Sequence, residues 1–561
     1  MRFQALACDY DGTIATDGRV DDATVEALER LARSGRRLIL VTGRDLDTLI
    51  DLFPRLDLFD RVVAENGALL YRPEEQERVV LAGPPRPEFV ERLRERGVDP
   101  VDVGSGIVAT WRPHEATVLA VIQEMGLELQ IVFNKDAVMV LPSGVNKATG
   151  LKAALDELSL SPHSVAGVGD AENDHAFLAA CECAVAVANA VPALKETCDL
   201  VTEGERGAGV VELAGLLVEE DLASVVLDRH DILLGTAGDD DIHIRAYGER
   251  VLIAGPSHSG KSTAASALVE RIQEAGYQIC LIDPEGDYAE GLGDAVVLGD
   301  PERGPTHDEV LKIVDESSRS VVVNLLGVPL DDRPGYFAEL LMRLAAVWAR
   351  VGRPHWLVID EAHHMVPDGF HLQSSGTLDD AGSVLAITVH PDSVSEPVLN
   401  EFTAVIAVGD EPAGVLDAFS QTDRCEVPGS LETGDLLLWR PGDDPVHLTL
   451  TPSEGERRRH IRKYAAGTLG DDSSFYFRGP DDRLNLKADN LNLFLRLGEG
   501  VDEETWEFHR DNGDYSHWMA ECVKDEELSA AVAEVERSGG SAEEGRARIR
   551  ELVEERYTAP E

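Results

Sequence analysis

Short apolar segments alternate with amphipathic ones over residues 1 to about 215, and this alternation limits the fold more than any other feature. FQALAC is followed by the amphipathic segment DATVEALERLARSG and then by RRLILV, a second apolar run. An acidic start and a glycine end are typical of helix boundaries. The rhythm of strand, helix and strand predicts a parallel sheet with helices on both faces, an α/β fold.

The rhythm breaks between residues 80 and 142. Two helical segments, PPRPEFVERLRERG and HEATVLAVIQEMG, here precede strands in GIVATWRP and LELQIVFNKDAVMVLP. An insertion with its own helices and strands predicts a small α/β cap that acts as a lid. We therefore expect a domain at residues 1–218 with a cap at about 80–142.

Two further domains are expected, since 561 residues are too many for one hydrophobic core. The stretch DILLGTAGDDDIHIRAYGERVLIAGPSHSGKST starts another strand, loop and helix pattern, which predicts an α/β domain with a parallel sheet at 225–452. Residues 455–561 contain helical runs such as AEEGRARIRELVEERY and predict a small, mainly helical module. Its Trp506, Phe508, Tyr515 and Trp518 are expected to form a core, with ligand sensing as the alternative.

The composition restricts partners and compartment. Acidic residues outnumber basic ones by 104 to 51, and the net charge of −53 disfavours nucleic acid as a partner. A salt-adapted surface is the alternative explanation of that charge. Seven scattered cysteines indicate a reducing compartment. The first strand begins too early for a signal peptide, and no apolar run reaches the roughly 20 residues of a membrane span. We expect a cytoplasmic protein without a membrane partner.

The first candidate site begins with CDYDGT, which follows an apolar strand. Asp9 and Asp11 are two residues apart, so their side chains leave the chain on one face. One carboxylate can attack a phosphoryl group while the other handles the proton of the leaving group. Gly12 allows the backbone to turn tightly beside them.

Three later segments supply companions for these aspartates. LVTGR places Thr42 at the end of the next strand, and GVNKATGL places Lys147 at a helix start. A lysine there would neutralise a transferring phosphoryl group. GVGDAENDHAF contains Asp170, Asn173 and Asp174 at a spacing that shares one helical face. Oxygen ligands of this kind suit Mg²⁺.

These four motifs, in this order, resemble those of the haloacid dehalogenase-like (HAD) phosphatases. The position of the lid resembles the Cof-type branch, which includes sucrose-phosphate phosphatase-like and archaeal phosphoglycolate phosphatase-like enzymes. The resemblance implies a Rossmann-like domain that hydrolyses a small phosphorylated metabolite with Mg²⁺. It implies that Asp9 is the nucleophile that forms an aspartyl-phosphate and that Asp11 is the general acid and base.

The same resemblance implies the remaining ligands. Phosphate would be bound by Thr42, Gly43, Lys147 and Asn173. Mg²⁺ would be held by Asp9, the backbone carbonyl of Asp11, Asp170 and, in support, Asp174. Arg44 is either a further site residue or an exposed residue at a helix start. Asn134 and Lys135 in the cap either contact the substrate or form a turn.

The second candidate site is GPSHSGKS, which follows the apolar strand RVLIA and fits the pattern of a phosphate-binding loop. Lys261 would reach the β- and γ-phosphates of ATP, and Ser262 would ligate Mg²⁺. In HWLVIDEAHHMVP, Asp360 would hold the Mg²⁺ shell and Glu361 would polarise the attacking water. The residues expected to bind ATP are Gly255, Pro256, Ser257, His258, Ser259, Gly260, Lys261, Ser262, Thr263, Asp360 and His390.

CLIDPEGDY and DEAHHMVP together resemble motifs of the HerA/FtsK superfamily of hexameric DNA-pumping ATPases. In that family a strand ends in a polar sensor, which is usually glutamine; here Thr388 or His390 would take its place. The resemblance implies a homo-oligomer, a hexamer in that family. Arg424 is a candidate arginine finger or an ordinary surface arginine. His363 and His364 are expected to pack a helix rather than bind metal.

Three hypotheses follow for the whole chain. The first is a Mg²⁺-dependent phosphatase of a small metabolite with an ATP-binding and ATP-hydrolysing unit that regulates or assembles it. The second is an ATP-driven DNA translocase in repair or defence with an accessory phosphatase. The third is a nucleotide-gated switch that mainly binds. A lid that closes over a small molecule excludes a polymer end and favours the first. The intact pair of Asp9 and Asp11 disfavours the third.

Overall fold

The structure of the protein is a computed structural model. It describes residues 1–83, 85–134, 136–256, 259–288, 292–316, 318–370, 377–419, 427, 429–432, 434–451, 474–480, 483–523, 525–538 and 540–557. The chain divides into two compact units. The larger unit comprises Met1–Lys261 and Arg271–Thr449, and the smaller comprises Ser262–Glu270 and Leu450–Glu561.

The first sheet of the larger unit has eight strands. In spatial order they are Leu200–Val201, Cys183–Ala186, Val165–Gly169, Ala5–Cys8, Arg37–Val41, Arg61–Ala64, Leu69–Arg72 and Glu77–Val80. The strands from Leu200–Val201 to Arg61–Ala64 run parallel, and the last two add antiparallel pairs at one edge. Ala5–Cys8 is buried along its whole length, as its unbroken apolar run predicts for a central parallel strand.

Helices accompany this sheet at Asp22–Arg33, Leu46–Leu52, Lys147–Leu158, His175–Ala180, Pro192–Lys195 and Gly207–Glu220. Asp22–Arg33 packs against Gly207–Glu220. The side chain of Asp21 caps the first helix by accepting a hydrogen bond from the backbone N–H of Thr24 at 2.7 Å. That bond explains why the helix begins where the acidic segment does.

The cap is an antiparallel sheet with two helices. In spatial order its strands are Asp102–Val103, Val108–Trp111, Ala137–Pro142 and Leu129–Asn134, and its helices are Pro87–Glu95 and Glu115–Glu124. Phe89, Leu93, Val118 and Val140 lie in a separate small core of the cap. On the main domain, the Glu65 carboxylate accepts hydrogen bonds from the backbone N–H groups of Ser105 and Gly106 at 3.0 and 2.8 Å. These bonds hold the cap against the main domain.

The second sheet of the larger unit has eleven strands. In spatial order they are Asp240–Ile244, Ile232–Ala237, Val446–Leu450, Asp435–Trp439, Ala404–Ala407, Arg250–Ala254, Ser383–Thr388, Trp356–Ile359, Ile279–Asp283, Val321–Asn324 and Val296–Leu298. The strands from Ala404–Ala407 to Val296–Leu298 run parallel, and antiparallel pairs extend the other edge. The parallel part brings the segments after several strands to one edge of the sheet.

In the described residues of this part of the larger unit, the helices are His307–Glu316, Arg333–Val351, Ala362–Met365, Glu396–Leu399 and Pro412–Leu416. Helix Lys261–Glu274 follows strand Arg250–Ala254 in the chain. Arg333–Val351 buries Phe337, Leu340, Leu341 and Leu344 on one face. Each buried leucine of this kind contributes about 1.5–3 kcal/mol to stability. Arg333–Val351 packs against His307–Glu316 and Ala362–Met365, the short helix that follows the acidic pair.

A buried cluster, which we call the junction, links the two parts of the larger unit. It consists of Arg2, His163, Glu182 and Tyr277. Glu182 accepts hydrogen bonds from Arg2 NH2 at 2.6 Å and from the Tyr277 hydroxyl at 3.0 Å. His163 stacks on Tyr277 with ring centroids 3.8 Å apart, and its Nδ1 lies 2.8 Å from Glu182 Oε2. The buried Glu182 carboxylate therefore binds residues from both parts: Arg2 and His163 from the part with the first sheet, and Tyr277 from the part with the second.

The smaller unit has strands Phe475–Phe477 and Leu486–Ala488 and helices Leu491–Gly500, Glu503–Asn512, Asp514–Glu521, Glu526–Ser538 and Ala542–Tyr557. Trp506, Tyr515 and Trp518 lie in its core, and the Tyr515 hydroxyl donates to the carbonyl of Trp506 at 3.0 Å. Phe508 is exposed, so the expectation that it belongs to this core is wrong. Among the helices that the structure describes in either unit, none combines the length and the apolar character needed to cross a bilayer.

Candidate active sites

Asp9 lies at the carboxyl end of the central strand of the first sheet. Its backbone N–H donates to the carbonyl of Val168 at 2.9 Å, which extends the pairing of strands Ala5–Cys8 and Val165–Gly169 by one residue. Its side chain is buried, and Oδ2 accepts a hydrogen bond from the Thr13 hydroxyl at 3.2 Å. The sheet thus presents a fixed carboxylate at the place where open α/β sheets bind ligands.

Lys147 reaches Asp9 from the start of helix Lys147–Leu158. Asn146 begins this helix with a capping box, in which its side chain and that of Thr149 each accept from the other's backbone N–H at 3.0 Å. Lys147 Nζ donates to Asp9 Oδ1 and to Asp174 Oδ1, both at 2.5 Å. The lysine is 1% exposed, so its charge acts almost entirely on these carboxylates.

Asp170 and Asp174 complete a cluster of carboxylates with Asp9. One oxygen from each of the three lies within 4.8 Å of the others. Asp174 Oδ2 accepts from the backbone N–H groups of Asp170 and Ala171, both at 2.9 Å, and this loop geometry fixes its direction. Gly12 lies so close that a Cβ there would meet Asp170 Oδ2 at 2.3 Å.

The electrostatics of the cluster favour a bound cation. Burial raises the pKa of Asp9 to about 8; Asp174 adds to this shift and Lys147 opposes it. Burial alone would lower the pKa of Lys147, but Asp174 and Asp9 outweigh it and the net shift is upward. Three buried carboxylates facing one ammonium leave an excess of negative charge. The oxygen donors of Asp9, Asp170 and Asp174 therefore fit Mg²⁺, a hard divalent cation.

Thr42 and Gly43 follow the strand that pairs with Ala5–Cys8, and a Cβ at Gly43 would lie 3.7 Å from Asn173 Nδ2. Thr42 is buried at the end of strand Arg37–Val41, and its Oγ1 accepts from the backbone N–H of Arg44 at 3.1 Å. Asn173 Nδ2 donates to Asn66 Oδ1 at 3.1 Å. A Cβ at Gly43 would lie 3.5 Å from Sδ of Met139, a residue of the cap. The cap therefore lies close above the expected phosphate-binding residues.

Asp11 is held by an arginine. Arg44 Nε lies 2.5 Å from Asp11 Oδ2 and Arg44 NH2 lies 2.6 Å from Asp11 Oδ1, a bidentate pair. Of the two alternatives for Arg44, the contacts are those of a site residue rather than of an exposed residue at a helix start. The guanidinium fixes the orientation of the Asp11 carboxylate.

The candidate phosphate-binding loop follows strand Arg250–Ala254 of the second sheet. A Cβ at Gly255 would meet the carbonyl of Val408 at 2.3 Å, and Gly260 has a φ of +95°, so both positions require glycine. Lys261 begins the next helix, with Ser262 and Thr263 in its first turn, and its Nζ donates to the carbonyl of Pro256 at 2.7 Å. Ser259 lies between Pro256 and Gly260, whereas Ser257 and His258 are outside the described residues.

Asp360 and Glu361 directly follow strand Trp356–Ile359. Burial raises the pKa of Asp360 to about 7, and Glu361 and Asp283 add to the shift. Burial also raises the pKa of Glu361, whereas Lys261 opposes that shift. Glu361 has a φ of 43°, an uncommon conformation for a residue with a side chain. A backbone outlier of this kind makes Glu361 a candidate functional residue.

Thr388 and His390, the two candidates for the sensor, differ in exposure. Thr388 is buried at the end of strand Ser383–Thr388, whereas His390 is exposed. The His390 backbone N–H donates to Thr388 Oγ1 at 3.3 Å, and His363 Nδ1 lies 3.1 Å from the same oxygen. His363 was expected only to pack a helix, yet it contacts this hydroxyl.

Several residues near the first site were not found by sequence reasoning. Asn66 accepts from Asn173, and Asn189 Nδ2 donates to the carbonyl of Gly12 at 2.8 Å. Asn66 has a φ of 55°, and asparagine followed by glycine in AENGA is a local signal of a turn with positive φ. For Asn189 no comparable pattern exists. Of the other predicted residues, Lys135 and Arg424 lie outside the described part of the chain, as does the side chain of Asn134.

Comparisons with known proteins agree with the first site. The family model for haloacid dehalogenase-like hydrolases matches residues 6–95 and 118–213. The phosphoglycolate phosphatase of Halorubrum lacusprofundi is 32% identical over 206 residues, which are 35% of this chain and 89% of that protein. The phosphoglycolate phosphatase of Methanothermobacter thermautotrophicus is 31% identical over 218 residues, 37% of this chain and 96% of that protein. A solved haloacid dehalogenase-like hydrolase from Bacteroides thetaiotaomicron is 18% identical, with a TM-score of 0.34, and covers 38% of this chain and 99% of its own.

The matched residues contain the whole first site. Asp9, Thr42, Lys147 and Asp170 all fall within 6–95 or 118–213, and the phosphate-binding loop at 255–262 lies beyond them. The unmatched residues between the two stretches, 96–117, lie within the cap. Through its residues 6–213, this chain belongs to the haloacid dehalogenase-like hydrolases.

Proposed function

We propose that the chain is a Mg²⁺-dependent phosphatase of a small phosphate monoester and that a second, ATP-hydrolysing site regulates it or assembles it. The observation that carries this proposal is the cluster of Asp9, Asp170 and Asp174 around Lys147, beneath a cap that lies close to Gly43. Residues 6–213 belong to a hydrolase family, and the relatives named above are phosphoglycolate phosphatases. We therefore expect phosphoglycolate or a sugar phosphate as the substrate.

The first half of the proposed reaction transfers the phosphoryl group to the protein. An Asp9 carboxylate oxygen attacks phosphorus, the ester P–O bond breaks, and the leaving oxygen takes a proton from Asp11. Lys147 and the backbone N–H groups near Thr42 face the transferring group and stabilise its negative charge. Arg44 sets the orientation of Asp11. Asp9, Asp170 and Asp174 would hold Mg²⁺, which would supply a positive charge that offsets the negative charge of the phosphoryl group.

The second half releases phosphate. Asp11, now a carboxylate, removes a proton from a water molecule, and the water oxygen attacks phosphorus. The bond between phosphorus and the Asp9 oxygen breaks, which restores the free carboxylate of Asp9. The cap restricts the size of the group that fits above Gly43 and keeps bulk water away until the phosphoenzyme has formed.

The second site is proposed to bind ATP with Mg²⁺. The loop from Gly255 to Ser262 would bind the phosphates, Lys261 would contact the β- and γ-phosphates, and Asp360 and Ser262 would hold the cation. Glu361 would polarise the attacking water. The support for this assignment is the adjacency of three parallel strands, whose ends carry Gly255, Thr388 and Asp360.

The test is phosphate release from a panel of small phosphate esters with Mg²⁺, with and without ATP. The panel contains phosphoglycolate, sugar phosphates and nucleotides, and the variants are Asp9→Asn and Lys261→Ala. We expect one preferred ester whose turnover is lost in Asp9→Asn and responds to ATP only while Lys261 is intact. If no ester is turned over and ATP hydrolysis survives Asp9→Asn, the proposal is wrong, and stimulation by DNA becomes the measurement that tests a translocase.

A further inference from the structure

His363 lies in the short helix Ala362–Met365, near the carboxyl ends of adjacent parallel strands of the second sheet. Strand Ser383–Thr388 lies between Arg250–Ala254, which leads into the phosphate-binding loop, and Trp356–Ile359, which leads into Asp360. Thr388 pairs with Ala254 in this register. The Thr388 hydroxyl is therefore located between the expected phosphate site and the acidic pair.

One ring nitrogen of His363 contacts both neighbours. His363 Nδ1 lies 3.1 Å from Thr388 Oγ1 and 3.3 Å from Glu361 Oε2. The Thr388 hydroxyl has a donor geometry toward the carbonyl of His390 at 3.4 Å, which occupies its only proton. With the Thr388 proton directed there, Thr388 Oγ1 can accept a hydrogen from His363 Nδ1. In this tautomer the Nδ1–H of His363 donates to Thr388 Oγ1, and the ring edge lies beside the Glu361 carboxylate.

Within the described part of the chain, the Glu361 carboxylate has few other groups to hold it in place, so the neighbouring His363 imidazole matters for its position. Its φ of 43° directs the chain abruptly into the short helix Ala362–Met365, and its Oε2 is buried without a conventional hydrogen bond to the described residues. Burial, with His364 and His390 in support, lowers the pKa of His363 to about 4. The imidazole is therefore neutral near pH 7 and lies beside the carboxylate as a polar group rather than as a cation.

We propose that His363 is a positioning residue for the hydrolysis of ATP: its imidazole is held by the Thr388 hydroxyl and lies against the Glu361 carboxylate, so that it limits the positions this carboxylate can take. The inference rests on the proposed ATPase function of this site and adds to it a defined link between the acidic pair and the neighbouring strand. The reaction itself remains that of a water molecule polarised by Glu361. His363 acts through Glu361 and does not contact the nucleotide.

The experiment compares the full-length protein with the variants His363→Ala, His363→Asn and His363→Gln. ATP hydrolysis gives kcat and KM, and a non-hydrolysable ATP analogue gives the nucleotide affinity. An asparagine amide places an N–H near the position of Nδ1, whereas glutamine places it near Nε2. His364→Ala is the matched control, because His364 is the neighbouring residue on the same short helix, with ring centroids 4.1 Å apart.

We expect His363→Ala to lower kcat by about 10- to 100-fold while analogue affinity changes by less than about 3-fold, as for residues that orient a functional ligand. His363→Asn should recover most of the lost kcat. His363→Gln should not, and neither should a double variant that combines His363→Asn with Thr388→Ala. Unchanged kcat in His363→Ala, or an equal loss of analogue affinity, overturns the role of His363 alone. A wild-type protein that binds the analogue but does not hydrolyse ATP overturns the proposed ATPase function and this role with it.

Discussion

Single atoms decide whether the first site can form, and Gly12 shows this most directly. Its φ is +85°, and a Cβ would be 2.3 Å from Asp170 Oδ2. Gly35 also has a positive φ, +93°, but nothing lies within 4 Å of the Cβ position. A comparison of alanine substitutions at the two glycines therefore distinguishes the effect of backbone strain from the effect of displacing the Asp170 carboxylate.

Gly12→Ala is predicted to reduce phosphatase turnover by at least about 100-fold, because the new methyl group must displace the Asp170 carboxylate. Gly35→Ala should cost about 1 kcal/mol of stability from strain alone and leave turnover near that of the wild type. Thermal unfolding and ester hydrolysis of both variants are the measurements. Equal loss of turnover in the two would show that the contact with Asp170 is unimportant.

The raised pKa of Asp9 gives a prediction for pH. A carboxyl whose pKa is raised to about 8 contributes stability below its ordinary pKa near 4, and this contribution is lost as the pH rises toward 8. Without Mg²⁺, the wild type should lose stability over this range relative to Asp9→Asn. Mg²⁺ should restore more stability at pH 8 than at pH 5. Thermal melts in EDTA and in Mg²⁺ test both statements, and parallel curves for the two proteins would contradict them.

At this scale the sequence predicted several residues that the structure brings together, but not all their partners. Asp9, Asp11, Asp170 and Asp174 were found because spacings of two to four residues determine a shared face. The hydrogen bonds from Asn173 to Asn66 and from Asn189 to Gly12 join residues 107 and 177 positions apart. No local pattern encodes a pairing over such distances, since it depends on how the finished sheet brings loops together.

Among the elements, helix Lys147–Leu158 carries the most chemistry, because its first residue is the lysine that binds both Asp9 and Asp174. The capping box of Asn146 determines where the helix begins. The sequence predicted a helix start at Lys147 from GVNKATGL, and the capping box explains why that local pattern was sufficient. The position of the cap strands was less accessible, since their pairing order is not sequential.

Asn146→Ala is predicted to lower stability by about 1 kcal/mol and turnover by about 10-fold, because the frayed first turn no longer fixes Lys147. Asp21→Ala is the matched control: Asp21 caps helix Asp22–Arg33 through Thr24, and its loss should cost similar stability without affecting turnover. Urea unfolding and ester hydrolysis are the measurements. A similar loss of turnover in both variants would show that only overall stability is being reported.

Over the whole molecule, the alternation of strands and helices predicted both α/β parts, since each depends on a local period of hydrophobic residues. It did not predict the antiparallel strands at the edge of the eleven-stranded sheet, nor the junction. Glu182 and Tyr277 are 95 residues apart and belong to parts that were expected to be separate domains. Burial alone would raise the pKa of Glu182, but His163 and Arg2 lower it to about 2, so the carboxylate remains ionised.

Tyr277→Phe removes one donor to Glu182 and should lower stability by about 1–2 kcal/mol. If the junction links the two sites, the effect of ATP on ester turnover should also disappear, although each activity on its own remains measurable. Tyr515→Phe removes a comparable buried hydrogen bond in the smaller unit and should preserve the ATP effect. An ATP effect of wild-type size in Tyr277→Phe would show that coupling does not pass through the junction.

Two helices connect the candidate sites to the junction. Helix His175–Ala180 starts directly after Asp174 and ends two residues before Glu182. Helix Lys261–Glu274 starts at the candidate phosphate-binding loop and is followed by Ala275. The carbonyl of Ala275 lies 3.0 Å from His163 Nε2. A 14-residue helix is about 21 Å long and stiff along its axis. If the candidate loop before Lys261 binds a nucleotide, an axial displacement of this helix would be transmitted toward Tyr277. The two candidate sites would then be connected through the backbone, without any shared ligand.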